Sequence, residues 1–216
     1  MTDSHTVKPQ AKTQQKKRAI IEQALLCFAQ HGVEGSSIEM LCQATDTSVG
    51  SLYHHFGNKD AIAGAVFIEG MRDFARLVNV YLSKCDDSYE GLSLQQQELQ
   101  AQAGIKALVH ANVDWIEQNP EWARFVFQHR AVVKQGKSKQ VFNQDLQGFY
   151  QKLQALVQPM IDQGVLKDLP MSLYRAFIAG PVHEYARHYL AGRESKPLAE
   201  LKTVFAESAW QSLRKE

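Results

Sequence analysis

Two short helical patterns flanking Asp46-Thr47-Ser48 constrain this chain more than any other feature of its sequence. Helices so short cannot repay their nucleation cost in water, so they persist only when packed on a neighbour. The neighbour lies just upstream, where Ile20, Ile21, Ala24, Leu25 and Phe28 recur at three and four residues, the apolar stripe of an amphipathic helix. His31-Gly32 ends that helix, because glycine adopts the left-handed terminal conformation cheaply. Ser36 followed by Glu39 has the form of a capping box and opens the second helix, with Ile38, Leu41 and Cys42 as apolar positions up to about Thr45. Asp46 tolerates left-handed backbone, and Ser48 is a good N-cap for a third helix from Val49 to about Phe56. Gly57-Asn58 closes it, and a long fourth helix runs from Lys59 to about Lys84. Two short helices and a tight turn inside a three-helix unit make a helix-turn-helix, here over 36–55.

The remaining chain is helical as well, so the fold class is all-α. Periodicity places helices at 95–118, 121–134, 138–163, 171–191 and 197–214, divided by Asn119-Pro120, Gly136, Leu169-Pro170 and Lys196-Pro197. Residues 85–94 read as a loop, and 1 to about 14 as a flexible tail that is polar and contains Pro9. Gly180-Pro181 is expected to kink the eighth helix, since proline lacks a backbone donor. No strand-like alternation persists, and no internal repeat is found.

Composition removes several function classes. No stretch approaches the length of a transmembrane span, and the polar N-terminus lacks the apolar core of a secretory signal. Cys27, Cys42 and Cys85 are odd in number and lack CxxC spacing, which fits a reducing cytoplasm. No Gly-rich phosphate loop or GxSxG elbow is present. His183-Glu184-Tyr185-Ala186-Arg187-His188 superficially resembles the zinc-protease HExxH motif, but its histidines are five apart and leave one helical face. No enzyme activity, cofactor or metal is therefore expected, and a helical-bundle enzyme is the minor alternative.

Ser48-Val49-Gly50-Ser51-Leu52-Tyr53-His54-His55-Phe56, followed by Asn58-Lys59-Asp60, resembles the signature of the TetR family of transcriptional repressors. Gly32, the Ser36-Ser37 pair and Leu41-Cys42-Gln43-Ala44 fall at matching intervals. The resemblance covers roughly residues 13 to 73. It departs at Asp46-Thr47, where the family usually has Gly-Val, and at Val49 and Glu39, which replace positions that are often polar or basic. It implies a DNA-binding domain over 13–73, preceded by a flexible basic arm at 1–12, and a ligand-binding and dimerisation domain over 74–216. A recognition helix enters the major groove by its N-terminal end, which brings Thr47, Ser48, Val49, Gly50 and Ser51 nearest the bases. Val49 can meet a thymine methyl, and Gly50 permits close approach. Tyr53 and an outward His54 reach for phosphate, with His55 partly packed on the fourth helix. Lys59 matches the family's phosphate-binding lysine, while Ser36 and Ser37 can cap the second helix and donate to phosphate.

Seventeen of the 20 aromatic residues lie after residue 60. Trp115, Phe125, Phe149, Tyr174, Phe177 and Tyr185 are candidates to line a cavity for a small, largely apolar effector. The resemblance implies a homodimer on a pseudo-palindromic operator, formed through the last two helices, where Leu198, Leu201, Phe205 and Leu213 supply an apolar stripe. A repressor released by its effector is the leading reading. An architectural or cell-cycle DNA-binding factor of the same fold, with no inducer, is the alternative.

The formal net charge is only +1, but it is segregated. Lys8, Lys12, Lys16, Lys17 and Arg18 outweigh Asp3 to give +4 over residues 1–18, whereas 19–58 holds no Lys or Arg and a charge of −4. Affinity for DNA is thus expected to draw its charge from Lys16, Lys17, Arg18 and Lys59, supplemented by hydroxyls and helix N-termini.

Overall fold

The computed structural model describes residues 7–85, 91–133 and 136–216. Among these the secondary structure is α1 (Val7–Gly35), α2 (Ile38–Thr45), α3 (Val49–Phe56), α4 (Lys59–Leu82), α5 (Leu94–Gln118), α6 (Pro120–Gln128), α7 (Gly136–Asp162), α8 (Met171–Leu190) and α9 (Leu198–Leu213). A 3-10 turn at Arg130–Val133 separates α6 from α7, and the only extended pairing among the described residues is one isolated bridge between Leu166 and Arg214. The architecture is all-α, as the periodicity predicts.

Two boundaries differ from the sequence reading. The first six residues of the expected arm lie outside the described residues, but from Val7 the chain is already helical. Pro9 falls in the first turn, where its missing N–H has no intrahelical partner to lose, and Lys, Gln and Ala around it favour helix. The expected helix 121–134 stops at Gln128 and tightens into the 3-10 turn. α8 is one element from Met171 to Leu190 with Pro181 inside it.

The chain divides into two compact units, and a single cut in the sequence does not reproduce them. One contains the chain up to Met71 with Arg124–Phe142; the other contains Arg72–Ala123 with Asn143–Glu216. In the first, Ile20, Ala24, Leu25 and Phe28 of α1 share a buried core with Leu41, Leu52, Ile62, Val66 and Phe67. Phe125 stacks on Phe28 at 5.9 Å between ring centres, and Phe142 meets Phe67 edge-on at 5.4 Å. In the second, α5 is the central element. Its start is fixed by a capping box between Ser93 and Gln96, its buried face carries Ile105, Val109 and Ile116, and it packs against α8 and α9.

Candidate nucleic-acid interface

Gly32 breaks α1 with φ 71° and ψ 165°, a backbone that only glycine adopts without strain. After this turn Ser37, not Ser36, is the N-cap of α2, and its hydroxyl accepts from the Met40 N–H at 3.2 Å. The expected capping box of Ser36 and Glu39 does not form: the cap moves to Ser37, and Met40 at N3 has no oxygen to return the bond. Glu39 sits in the first turn, where its own backbone N–H and the Ser37 hydroxyl hold its carboxyl below the usual range. Ser36 is buried, and its hydroxyl donates to the Gly32 carbonyl at 2.7 Å, so it is turned into the protein and away from any phosphate.

The turn has the geometry its residues predict. Asp46 is left-handed at φ 48°, ψ 47°, and its N–H returns to the Cys42 carbonyl. The Thr47 hydroxyl, which replaces a purely apolar side chain, pairs with Thr45 Oγ1 at 2.5 Å. Ser48 caps α3 by accepting from the Ser51 N–H at 3.2 Å, and accepting leaves its own hydroxyl proton to donate. α3 then points one large side chain inward and leaves its outer face open. Leu52 is buried, whereas Val49 and Tyr53 are 44% and 49% exposed. A Cβ built on Gly50 would meet nothing within 4 Å. Ser51 is half-buried.

His54 is exposed, as expected, and its ring lies 5.4 Å from that of the half-buried His55. Burial, then the charges of His54, Lys16 and Lys17, push His55 below its ordinary value, so α1 acts on this histidine as well. Lys17 lies over the Phe56 ring at 5.4 Å, and Arg18 forms an exposed pair with Glu22 at 3.0 Å. Lys16, Lys17 and Arg18 are all exposed on the N-terminal half of α1. Lys59 differs from expectation: its ammonium donates to the Ser36 and Glu34 carbonyls at 3.0 and 3.3 Å.

The aromatic candidates of the larger C-terminal part do not come together as one site. Phe125 belongs to the core of the first unit, beside Phe28. Tyr174 is completely enclosed and donates to the Lys167 carbonyl at 2.6 Å, with burial and Asp168 pushing its hydroxyl up to about 12. Tyr185 donates to the Lys196 carbonyl, and the buried Trp115 donates to Asp73. Phe149 and Phe177 are half-buried, Phe149 within 6.4 Å of Phe74. An open groove of about 290 Å³ lies instead between α1 and α2, lined by Leu26, Cys27, His31 and Met40 among others. The expected interface stripe is corrected too. Leu198 and Leu213 are fully buried within their own chain, Leu201 and Phe205 are half-buried, and Val204 beside them is 62% exposed.

Two polar constellations went unforeseen in the sequence. Asp114 of α5 receives the Tyr81 hydroxyl from α4 and the Lys202 ammonium from α9, the latter at 2.6 and 2.7 Å. Burial works to raise this carboxyl, but the bonds from Lys202 and Tyr81 bring it below its ordinary value. His183 of α8 meets the buried Asn112 at 3.2 Å, and burial, then Arg187 and Arg175, lower it to about 4. The partners lie 33 to 88 residues apart, a separation that no local spacing reveals.

A capped pair of short helices with an open outer face on the second defines a helix-turn-helix module. Residues 20–66 match the family model of bacterial regulatory proteins, tetR family. They form a TetR-family helix-turn-helix domain, and the chain as a whole has the all-helical fold of TetR-family regulators. The HTH-type transcriptional repressor AcnR of Corynebacterium glutamicum is 41% identical over 64 residues, 30% of this chain and 32% of that protein. The match thus spans about a third of the length of this curated relative. Among solved structures, a tetR-family regulatory protein from Rhodococcus RHA1 aligns with a TM-score of 0.70 at 15% identity, covering 93% of this chain and 98% of that one. FadR from Bacillus subtilis, solved with stearoyl-CoA, aligns with a TM-score of 0.67 at 17% identity, covering 89% and 96%. No described helix is long and apolar enough to cross a membrane.

Proposed function

We propose that this protein is a homodimeric transcriptional regulator that binds operator DNA through α2 and α3, and a repressor released by a small-molecule effector. The carrying observation is the outer face of α3, where Val49, Tyr53 and Gly50 lie open at the end that a recognition helix presents to bases. Thr47, Ser48 and Ser51 sit beside them, Ser37 and His54 serve phosphate, and Lys16, Lys17 and Arg18 supply positive charge from α1. In this reading residues 13–73 bind DNA and 74–216 hold the effector and the partner copy, within the cytoplasm. Dimerisation draws on the outer faces of α8 and α9, where Leu173 and Val204 are exposed and Leu201 and Phe205 half-exposed. The resemblance to repressors, one of them named AcnR, supports this, and neighbours solved with acyl-coenzyme A make an apolar, acyl-bearing effector a reasonable first class to screen.

Selection of bound fragments from genomic DNA tests the reading. A recurring palindrome, bound by two chains, is the expected result, and retention without any shared sequence would sink the operator assignment. One observation favours the inducer-free alternative: the polar tips of Trp115, Tyr174 and Tyr185 are already bonded to their own chain. Release of the selected DNA by one metabolite of a screen decides for the repressor.

A further inference from the structure

Val49 opens α3 directly after the cap Ser48 and is 44% exposed. Tyr53, one turn further along the same face, is 49% exposed, while Leu52 turns inward. Residues 48–57 contain no Arg, Lys, Asn, Gln, Asp or Glu. From this helix, then, guanine receives no paired contact from Arg or Lys, adenine none from Asn or Gln, and cytosine no acidic acceptor. Hydroxyls remain near its start, and they are committed in opposite senses. Thr45 Oγ1 donates to the Leu41 carbonyl at 2.7 Å, so it accepts the Thr47 proton across 2.5 Å. Ser48 accepts from the Ser51 N–H at 3.2 Å and keeps its own proton. A lone hydroxyl can serve any base, so it separates the bases poorly. A Cβ at Gly50 would meet nothing within 4 Å, which leaves room for a base edge to come up to the helix beside Val49.

We propose that Val49 is the specificity-determining residue of α3, and that it reads the C5-methyl group of one thymine in each half-site. The proposal rests on the reading of α3 as the recognition helix and names the chemistry of the DNA that this helix selects. Thymine alone among the four bases carries an apolar group in the major groove, and an apolar side chain is what meets it. The two isopropyl methyls of Val49 lie half in water in the free protein, so contact with the thymine methyl removes apolar surface on both sides. Cytosine, which lacks that methyl, gains nothing from Val49. Discrimination by this helix therefore comes from a methyl contact where a paired hydrogen bond is missing.

The test uses a DNA fragment selected by the unchanged chain and resynthesised with uracil for thymine, one position at a time. Uracil keeps every hydrogen-bonding group of thymine and lacks only the methyl. At one position in each half-site the affinity of the unchanged chain is expected to fall about fourfold, the scale of one methyl group returned to water. Val49→Ala should bind the thymine and uracil fragments alike, Val49→Ile should restore the difference, and both should unfold at the temperature of the unchanged chain. A repeated selection with Val49→Ala should lose the thymine at that position. A retained fragment in which no uracil changes the affinity, an equal uracil effect in Val49→Ala, or an unchanged selection overturns this proposal and leaves the operator reading standing. If the unchanged chain retains no DNA fragment at all, the operator reading falls and the methyl contact with it.

Discussion

The outer face of α3 and the aromatic second unit use their side chains in opposite ways. On α3, Val49 and Tyr53 stay 44% and 49% exposed on a short helix, and a Cβ on Gly50 would meet nothing within 4 Å. In the second unit, Trp115 and Tyr174 are buried, and the polar tips of Trp115, Tyr174 and Tyr185 are bonded within the chain. Under the proposed function, these open side chains are the ones assigned to DNA. Aromatic richness, by contrast, is satisfied by ordinary core packing, because large rings bury much area at little entropic cost.

The contrast is broken most directly at two adjacent positions. Leu52 is buried and Tyr53 is 49% exposed, one step apart on the same helix. Leu52→Ala is expected to lose about 2–5 kcal/mol of stability by chemical denaturation. Tyr53→Ala is expected to change stability by no more than about 0.5 kcal/mol while weakening binding to the selected operator. Unfolding that shifts by many degrees in Tyr53→Ala, with operator affinity intact, would return Tyr53 to the core.

A pH experiment sharpens the same contrast from the other side. His183 is held neutral in the fold at about 4, below the unfolded value of about 6.5, so protonation favours the unfolded chain. Its burial has no pH-dependent cost above pH 6.5. The cost grows as pH falls from about 6.5 to 4, then levels off at no more than about 3 kcal/mol. Urea midpoints measured between pH 7 and 4 should therefore fall less steeply in His183→Gln than in the unchanged chain. Parallel curves would show that the Asn112–His183 contact carries no such linkage. The smallest expected effect is at Gly50. Gly50→Ala should stabilise the chain by up to about 1 kcal/mol, since alanine suits a helix better and meets no neighbour, while operator affinity declines. Unchanged affinity would mean that nothing approaches this backbone closely.

The sequence carried the first unit well because its signals are local. Ser48 caps α3, Asp46 turns left-handed and Gly32 breaks α1, each through contacts a few residues away. Where two serines stood side by side, the pattern could not choose between them. Burial chose, turning Ser36 inward to Gly32 and leaving Ser37 as the cap. Lys59 shows the same limit at longer range, since its carbonyl partners lie 23 and 25 residues back.

Periodicity, capping residues and turn chemistry alone determined that the described residues fold all-α, where most helices begin and end, and that α2 and α3 form a helix-turn-helix. These depend on backbone sterics and neighbours within a turn, and a sequence records them directly. Only the tertiary structure decided which side chains have spare surface. Phe125 went to the core beside Phe28, Leu198 and Leu213 were buried by their own chain, and Asp114 gathered Tyr81 and Lys202 from two other helices. Such pairings depend on which helix faces meet, a matter of packing distant segments against one another, and no local spacing encodes it.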